Sequence, residues 1–569
     1  VTRVVWILAC ALTVGSRLVA QDTTAYRAAY DSLLREAEKS FARGDRDLAI
    51  RQLLQRRVLA DGIDHPQFKF SAHYSLAAAY ARGDTSAASA IKAAYAMDTA
   101  MFFAERTRRA YGASDRQMDW ADVIDGLYEE WFSSSAERAR LQGLTDQQRL
   151  LVGLAIFERA RSPVLTEALG VAGNTPLTPG RLLAEGERLH ALAVAQRATV
   201  LNYYVTKGGV AVFFSGVDSL LRFDFTLIAD TALATLVTQA RAALGVDAGG
   251  GSSGLAASLS GVRGVQAHAA IRPDSTALSR LRDILLPPPI LAAVGAARTG
   301  QVMVIPHRSI ALVPFTALPS LRRVPIGTVL AFYYVPSLTV LEVIGQRPPN
   351  PFRTDGSVGS AVVVGNPTMP QVQTPRGRIA LDPLPGSERE ARWVAQRLGT
   401  RALLGDSATE TRVWSAMRSA SIIHLATHGF AFTERSWEGY AFVALARDQA
   451  NDGLLRVREL EARPNALRAE LVVISACESG LGATRQSEGI LGLPRAFLLA
   501  GARNVLATLW SVDDDATEFL MRRFYTHFFD PSTNVSLSVA LWKAQNDLRA
   551  DPRFSHPRFW AAFQLIGST

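Results

Sequence analysis

Two short stretches hold the residue types that could carry covalent chemistry. One is Ile422-Ile423-His424-Leu425-Ala426-Thr427-His428-Gly429, and the other is Val472-Val473-Ile474-Ser475-Ala476-Cys477-Glu478-Ser479-Gly480. In each, an apolar run of strand length ends in a reactive side chain followed closely by glycine, so His428 and Cys477 are expected to emerge from two strand ends. A thiol near its ordinary pKa of about 8.5 is only partly ionised at neutral pH, and a neighbouring imidazole that takes its proton makes it a strong nucleophile. Cys477 is then the candidate nucleophile, and His428 the base that later protonates the leaving amine. The plain alternative is a small buried thiol and a core histidine. His424, two strand repeats before His428 on the same face, lies nearer the interior and reads as structural or as support for the pair.

The elements that must position these residues alternate along the second half of the chain. Apolar strands are expected near 302–305, 361–364, 421–426, 471–475 and 504–509, and amphipathic helices near 387–398, 410–418, 491–499, 515–529 and 536–548. That alternation predicts an α/β fold with a mainly parallel sheet covered by helices on both faces, which places chemistry at the carboxyl ends of strands. Ahead of it, 210–214 and 220–225 flank Gly216-Val217-Asp218-Ser219 as a hairpin, and a helix is expected near 181–199. The stretch 247–264, with Gly249-Gly250-Gly251-Ser252-Ser253-Gly254, reads as a loop and lacks the lysine of a phosphate-binding loop.

Residues 24–170 differ in kind, being rich in Ala, Leu, Glu and Arg with few β-branched clusters. Ala37-Glu38-Lys39-Ser40-Phe41-Ala42-Arg43-Gly44-Asp45 and Ala77-Ala78-Ala79-Tyr80-Ala81-Arg82-Gly83-Asp84 each end a helix on an aromatic residue and turn at Arg-Gly-Asp. This resembles tetratricopeptide helical hairpins, although the offset is 39 residues and an unrelated helical bundle fits as well. Residues 171–180 have the composition of a linker. At the amino end, Arg3, an apolar run over 4–14 and Leu18-Val19-Ala20 have the order of a secretory signal cleaved after Ala20. An interfacial helix is the alternative. The same holds for lipid attachment at Cys10. Export to the periplasm or medium follows if the signal is used, with no integral membrane span remaining, and a cytoplasmic location follows otherwise.

Composition narrows the chemistry. Cys10 and Cys477 are the two cysteines, too few for a disulfide scaffold or a multi-cysteine metal site, and chemistry by a thiol and an imidazole needs no metal and no cofactor. The charge of +9 comes from arginines scattered without long runs, and nucleic acid is not an expected partner.

The motifs themselves, His-x-x-x-His-Gly, Ser-Ala-Cys-Glu-Ser-Gly, Glu488-Gly489, Gly492-Leu493-Pro494-Arg495-Ala496-Phe497-Leu498, Leu509-Trp510-Ser511-Val512-Asp513-Asp514 and Trp560-Ala561-Ala562-Phe563, resemble the CHAT family of caspase- and separase-related proteins. The 49-residue interval from His428 to Cys477 is close to the caspase one. Weaker likeness extends upstream through Leu312-Val313-Pro314-Phe315 and Gly365-Asn366-Pro367. After the signal segment over 1–20 and the helical region over 21–170, the resemblance implies a pseudo-caspase-like part over 171–350 and a catalytic caspase-like part over 351–569. It also implies a His428–Cys477 dyad and an oxyanion hole from the backbone amides of Gly429 and Cys477.

For the substrate pocket, caspase relatives carry an acid two residues before the cysteine, where this chain has Ser475. By likeness to separases the pocket acid is Asp514, with Asp513 and Asp515 beside it, and such an acid favours cleavage after Arg or Lys. The same three acids also suit a helix start. Glu478 and Glu488 are expected to shape the loops near the nucleophile. The expected activity is that of a cysteine endopeptidase on a protein or peptide substrate, with the helical region available to a partner protein. A catalytically silent scaffold, or a hydrolase of a non-peptide ester or amide, uses the same residues differently.

Overall fold

The computed structural model describes residues 24–568 apart from 64, 112–113, 162, 172–176, 217, 247–274, 297–299, 323, 351–352, 355–356, 359, 375–376, 431–440, 477–481 and 486–488. The expected signal segment with Cys10, the expected loop at 247–264, and Cys477, Glu478 and Glu488 lie outside the described residues. The chain forms two compact units, 1–164 with 171–191, and 165–170 with 192–569.

The first unit is helical. Its elements are α1 (Thr24–Ala42), α2 (Arg46–Gly62), α3 (Pro66–Ala81), α4 (Ala87–Ala110), α5 (Ser114–Leu141) and α6 (Asp146–Ala160), and each packs on the next. Both Arg-Gly-Asp turns form as expected: Gly44 and Gly83 sit at φ +83° and +74°, where a side chain would be strained. Asp45, Ser86 and Thr145 then cap the following helices by accepting from backbone N–H groups one turn on. Inside the array, buried Arg56 stacks its guanidinium over Tyr30 at 3.9 Å and donates to the Ser71 carbonyl and to the Ser71 and Ser75 hydroxyls. Asp98 accepts from Arg138 and from the Trp131 indole, which ties α4 to α5 through a buried ion pair.

The second unit is built on eleven strands: β1 (Thr199–Val205), β2 (Gly209–Ser215), β3 (Leu221–Leu227), β4 (Gln301–Ile305), β5 (Ala331–Tyr334), β6 (Ala361–Pro367), β7 (Leu403–Gly405), β8 (Ile422–Ala426), β9 (Leu471–Ser475), β10 (Asn504–Thr508) and β11 (Phe563–Gly567). Their order across the sheet is β7-β6-β8-β9-β10-β11-β5-β4-β1-β2-β3. From β7 to β10 all neighbours are parallel; β11 runs antiparallel to β10 but parallel to β5, and β5, β4 and β1 are parallel. The sheet is therefore mainly parallel, as expected, but in two blocks of opposite sense. Their carboxyl ends leave opposite edges. The expected hairpin is present as β2 and β3, while the helix expected over 181–199 is Pro179–Ala195 and gives way to β1.

Helices α7 (Pro385–Arg397), α8 (Leu493–Ala500) and α9 (Asp514–Phe528) around the first block, and α10 (Leu537–Ala550), which packs on α9 and against β5 and β11, fall close to expectation. Leu425, Ile474 and Val505 share one core with Phe497 and Leu498 of α8. Burying each such side chain contributes about 1.5–3 kcal/mol. On the other face α7 lies against β6 and β8 and packs on α9. That contact requires Gly365, because a Cβ there would lie 2.3 Å from the Ala391 side chain. Among the described residues no helix is long and apolar enough to cross a membrane, and no His, Cys, Asp and Glu group has the arrangement of a metal site.

Candidate active site

The register of the parallel strands lines up the candidate residues. Ala426 of β8 sits between Gly365 of β6 and Ser475 of β9, so β8 and β9 end level while β6 continues two residues to Pro367. Beyond these ends, Thr427 donates to the Ala444 carbonyl at 2.8 Å, and Thr508 of β10 donates to the Ala476 carbonyl at 2.9 Å. The second bond anchors the residue that directly precedes Cys477.

His428 is 5% exposed and its ring stacks on Phe430 at 5.9 Å. Its Nε2 lies 2.9 Å from the carbonyl oxygen of Asp382. A carbonyl can only accept, so Nε2 carries the hydrogen, and in the neutral ring Nδ1 is the accepting nitrogen. The segment holding Asp382 is fixed in turn by Asn366, at φ +41°, whose side chain accepts from the Leu384 N–H at 2.7 Å. Immediately after His428 the chain enters a small antiparallel sheet of Gly429–Phe430, Phe442–Ala444 and Leu454–Arg456. The Ala444 N–H donates to the His428 carbonyl, so the next pair, Gly429 with Val443, is a non-hydrogen-bonded one. The Gly429 N–H is thereby directed away from Val443.

The three consecutive acids separate into three environments. Asp513 is the N-cap of α9 and accepts from the Asp515 and Ala516 N–H groups at 3.0 and 3.1 Å. Asp515 faces solvent and pairs with Arg389 at 2.9 Å. Asp514 lines a narrow cavity together with Ser387, Glu390, Thr427, Ser475, Ala476, Thr508, Val512 and Thr517, and about 20 Å³ of it is open to the centre of a water molecule. The first turn of α7 presses on this acid: a Cβ on Gly386 would stand 3.0 Å from the Asp514 Cβ and 3.2 Å from Oδ2.

His424 is wholly buried on the α7 side of β8. Its Nε2 meets Glu390 at 2.9 Å and its Nδ1 meets the Tyr525 hydroxyl at 3.1 Å. Burial, with the Glu390 charge adding to it, holds the Tyr525 hydroxyl protonated well above its ordinary range.

Sequence reasoning did not single out Asp382, Gly386, Glu390, Thr508 or Tyr525. Asp382 acts through its backbone, which no side-chain pattern signals. The Pro385-Gly386 pair reads as a turn but is the first turn of α7, and its glycine next to a helix-borne acid was the available clue.

Comparison with known proteins completes the picture. Tetratricopeptide repeat protein 28 of Homo sapiens is 30% identical over 304 residues, 48% of this chain and 12% of that protein. Its Mus musculus counterpart is 30% identical over 241 residues, 37% of this chain and 10% of the relative. The chain thus spans only about a tenth of the length of these relatives. Among solved structures, the separase–securin complex of Saccharomyces cerevisiae matches with a TM-score of 0.47 at 9% identity, over 95% of this chain and 47% of that one. The Arg-specific cysteine proteinase gingipain R gives 0.30 at 9% identity, over 47% and 62%. The CHAT domain model matches residues 275–568, more than half of the chain, and the chain belongs to the CHAT domain family.

Proposed function

We propose that this chain is a cysteine endopeptidase in which His428 is the base and Cys477 the nucleophile. The observation that carries the reading is the Asp382 carbonyl at His428 Nε2, because it selects the tautomer whose Nδ1 can take a thiol proton. Cys477 follows Ala476 by one peptide bond, at the end of the strand that pairs with β8. In the reaction the thiol proton passes to Nδ1 and the sulfur attacks the scissile carbonyl carbon. The oxyanion is held by the N–H groups of Gly429 and Cys477, and each such donor is worth about 3 kcal/mol. The imidazolium then protonates the leaving amine, and a water molecule, deprotonated by the same ring, hydrolyses the thioester.

Asp514 is the acid that receives a basic P1 side chain, since of the three consecutive acids it is the one in the cavity with Ser475 and Ala476. The test is cleavage of a peptide library by the full chain and by Cys477→Ala and His428→Ala. Both variants are expected to lose at least about a thousandfold in kcat/KM. Equal cleavage by Cys477→Ala, or none by any form, would refute the peptidase reading and leave a silent scaffold.

A further inference from the structure

We propose that Glu390 is a second anionic wall of the Asp514 cavity, and that the two carboxylates together select a planar guanidinium over an ammonium at P1. This rests on the reading of that cavity as the P1 pocket. Glu390 comes from α7 and Asp514 from α9, so the carboxylates enter from different helices.

The Glu390 side chain is 3% exposed and one oxygen accepts from His424 Nε2–H. Because a carboxylate only accepts, His424 Nε2 carries the hydrogen of that bond, and Nδ1 is held on the far side of the ring by the Tyr525 hydroxyl. The ring fixes one oxygen of a carboxylate that shares a narrow cavity with Asp514, a costly arrangement for two buried acids and a favourable one for a cation that reaches them.

A third group in the same cavity points to a ligand. Ser475 Oγ is buried and has no hydrogen-bond partner among the described residues. The narrow space thus sets three groups, the two carboxylates and the Ser475 hydroxyl, beside the hydroxyl-bearing Ser387, Thr427, Thr508 and Thr517. A guanidinium carries five N–H donors in one rigid plane and can serve all three groups at once. An ammonium has three donors on a compact, strongly hydrated centre and must choose among them. Glu390 is thus a specificity residue, and His424 and Tyr525 are positioning residues that act through it.

The experiment uses the full chain and two readouts: kcat/KM on peptides that differ only in Arg or Lys at P1, and calorimetric titration with agmatine and with cadaverine. Wild type is expected to prefer Arg, and agmatine, by about tenfold. Glu390→Gln, which keeps an acceptor for His424, should bring both ratios close to one, with the change in KM and little in kcat, and Glu390→Asp should restore part of it. Ser475→Ala leaves the His424 pair untouched and should lower agmatine affinity about threefold with cadaverine unmoved. Unchanged Arg and agmatine preference in folded Glu390→Gln would overturn the proposal while leaving the peptidase reading intact. Glu390-dependent agmatine binding by a chain that cleaves no peptide would do the reverse. A chain that binds neither amine and cleaves after neither residue refutes both.

Discussion

The two blocks of the sheet carry the same arrangement to opposite ends. In one, β8 and β9 end level and β8 runs two residues on to His428; in the other, Val304 of β4 pairs with Tyr334 of β5 and β4 runs two residues on to His307. Yet His307 Nδ1 accepts from the Val205 N–H at 3.0 Å, and its ring stacks on Tyr204 at 4.3 Å. Continuing that register sets Ser337 across from His307, and the Ser337 hydroxyl accepts from Val340 N–H as a helix cap. A backbone donor meets Nδ1 of His307, whereas a backbone acceptor meets Nε2 of His428. The same strand-end histidine is a structural ring in one block and a candidate base in the other, and the difference is the direction of one hydrogen bond.

The largest effects should separate the blocks. His428→Ala is expected to lower kcat/KM at least about a thousandfold while the thermal midpoint shifts by only a few degrees. His307→Ala should do the opposite. Losing the stack and leaving the Val205 N–H buried should cost about 2–4 kcal/mol of stability in denaturant unfolding, with cleavage rates within about twofold of wild type. A His307→Ala chain of normal stability that no longer cleaves would break the comparison.

Next in size is the separation of the three acids. Asp514→Asn should reduce cleavage after basic residues by about a hundredfold, because a cation entering the cavity would lose its charged partner. Asp513→Ala should cost about 1 kcal/mol as a lost cap without changing P1 preference, and Asp515→Asn should fall within about 0.5 kcal/mol of wild type. An unaltered P1 profile in Asp514→Asn would remove this acid from the pocket.

These contrasts were only partly legible in the sequence. Strands such as 422–426 and 471–475 are long apolar runs between helices and stand out. Strands β1, β5 and β11 were not foreseen, since Thr199–Val205 and Ala331–Tyr334 are buried on both faces without alternation and Phe563–Gly567 reads as a motif before it reads as a strand. The reversal at β11 depends on which neighbour the strand finds, and local pattern carries no record of that. His428 and Asp514 were legible as residue types in context. What distinguishes Asp514 from Asp513 and Asp515 is three successive directions around the start of α9, and what distinguishes His428 from His307 is a carbonyl 46 residues away.

The candidate catalytic block should also respond to pH through Glu410. Burial first, then the Glu459 and Asp452 carboxylates, push Glu410 up to about 7 against the opposing Gly453 N–H and Arg456. The folded chain therefore keeps a proton that the unfolded chain has lost, and the stability this group allows is full below about pH 4.5 and declines as pH rises through about 7. Glu410→Gln should flatten that decline and raise stability above pH 7 by about 2 kcal/mol, with no change below pH 4.5. Parallel unfolding curves at pH 4.5 and 8 decide it, and a variant equally displaced at both values would count against the titration.

The smallest expected effect tests how closely α7 holds the pocket. Gly386 sits in the first turn of α7 with an ordinary backbone, so alanine there is not strained by φ and should not disturb the helix. Its added methyl would meet the Asp514 carboxylate at 3.0–3.3 Å, closer than ordinary contact, and either the acid or the helix end must give by a few tenths of an ångström. If the Asp514 position matters to a P1 cation, Gly386→Ala should raise KM for basic peptides about threefold while leaving kcat and the unfolding midpoint nearly unchanged. Nothing comparable should follow from Gly345→Ala in the helix Leu338–Gln346, where a Cβ meets no atom within 4 Å. Equal KM in the two variants would mean that the pocket acid tolerates displacement and that the tight approach of α7 serves packing alone.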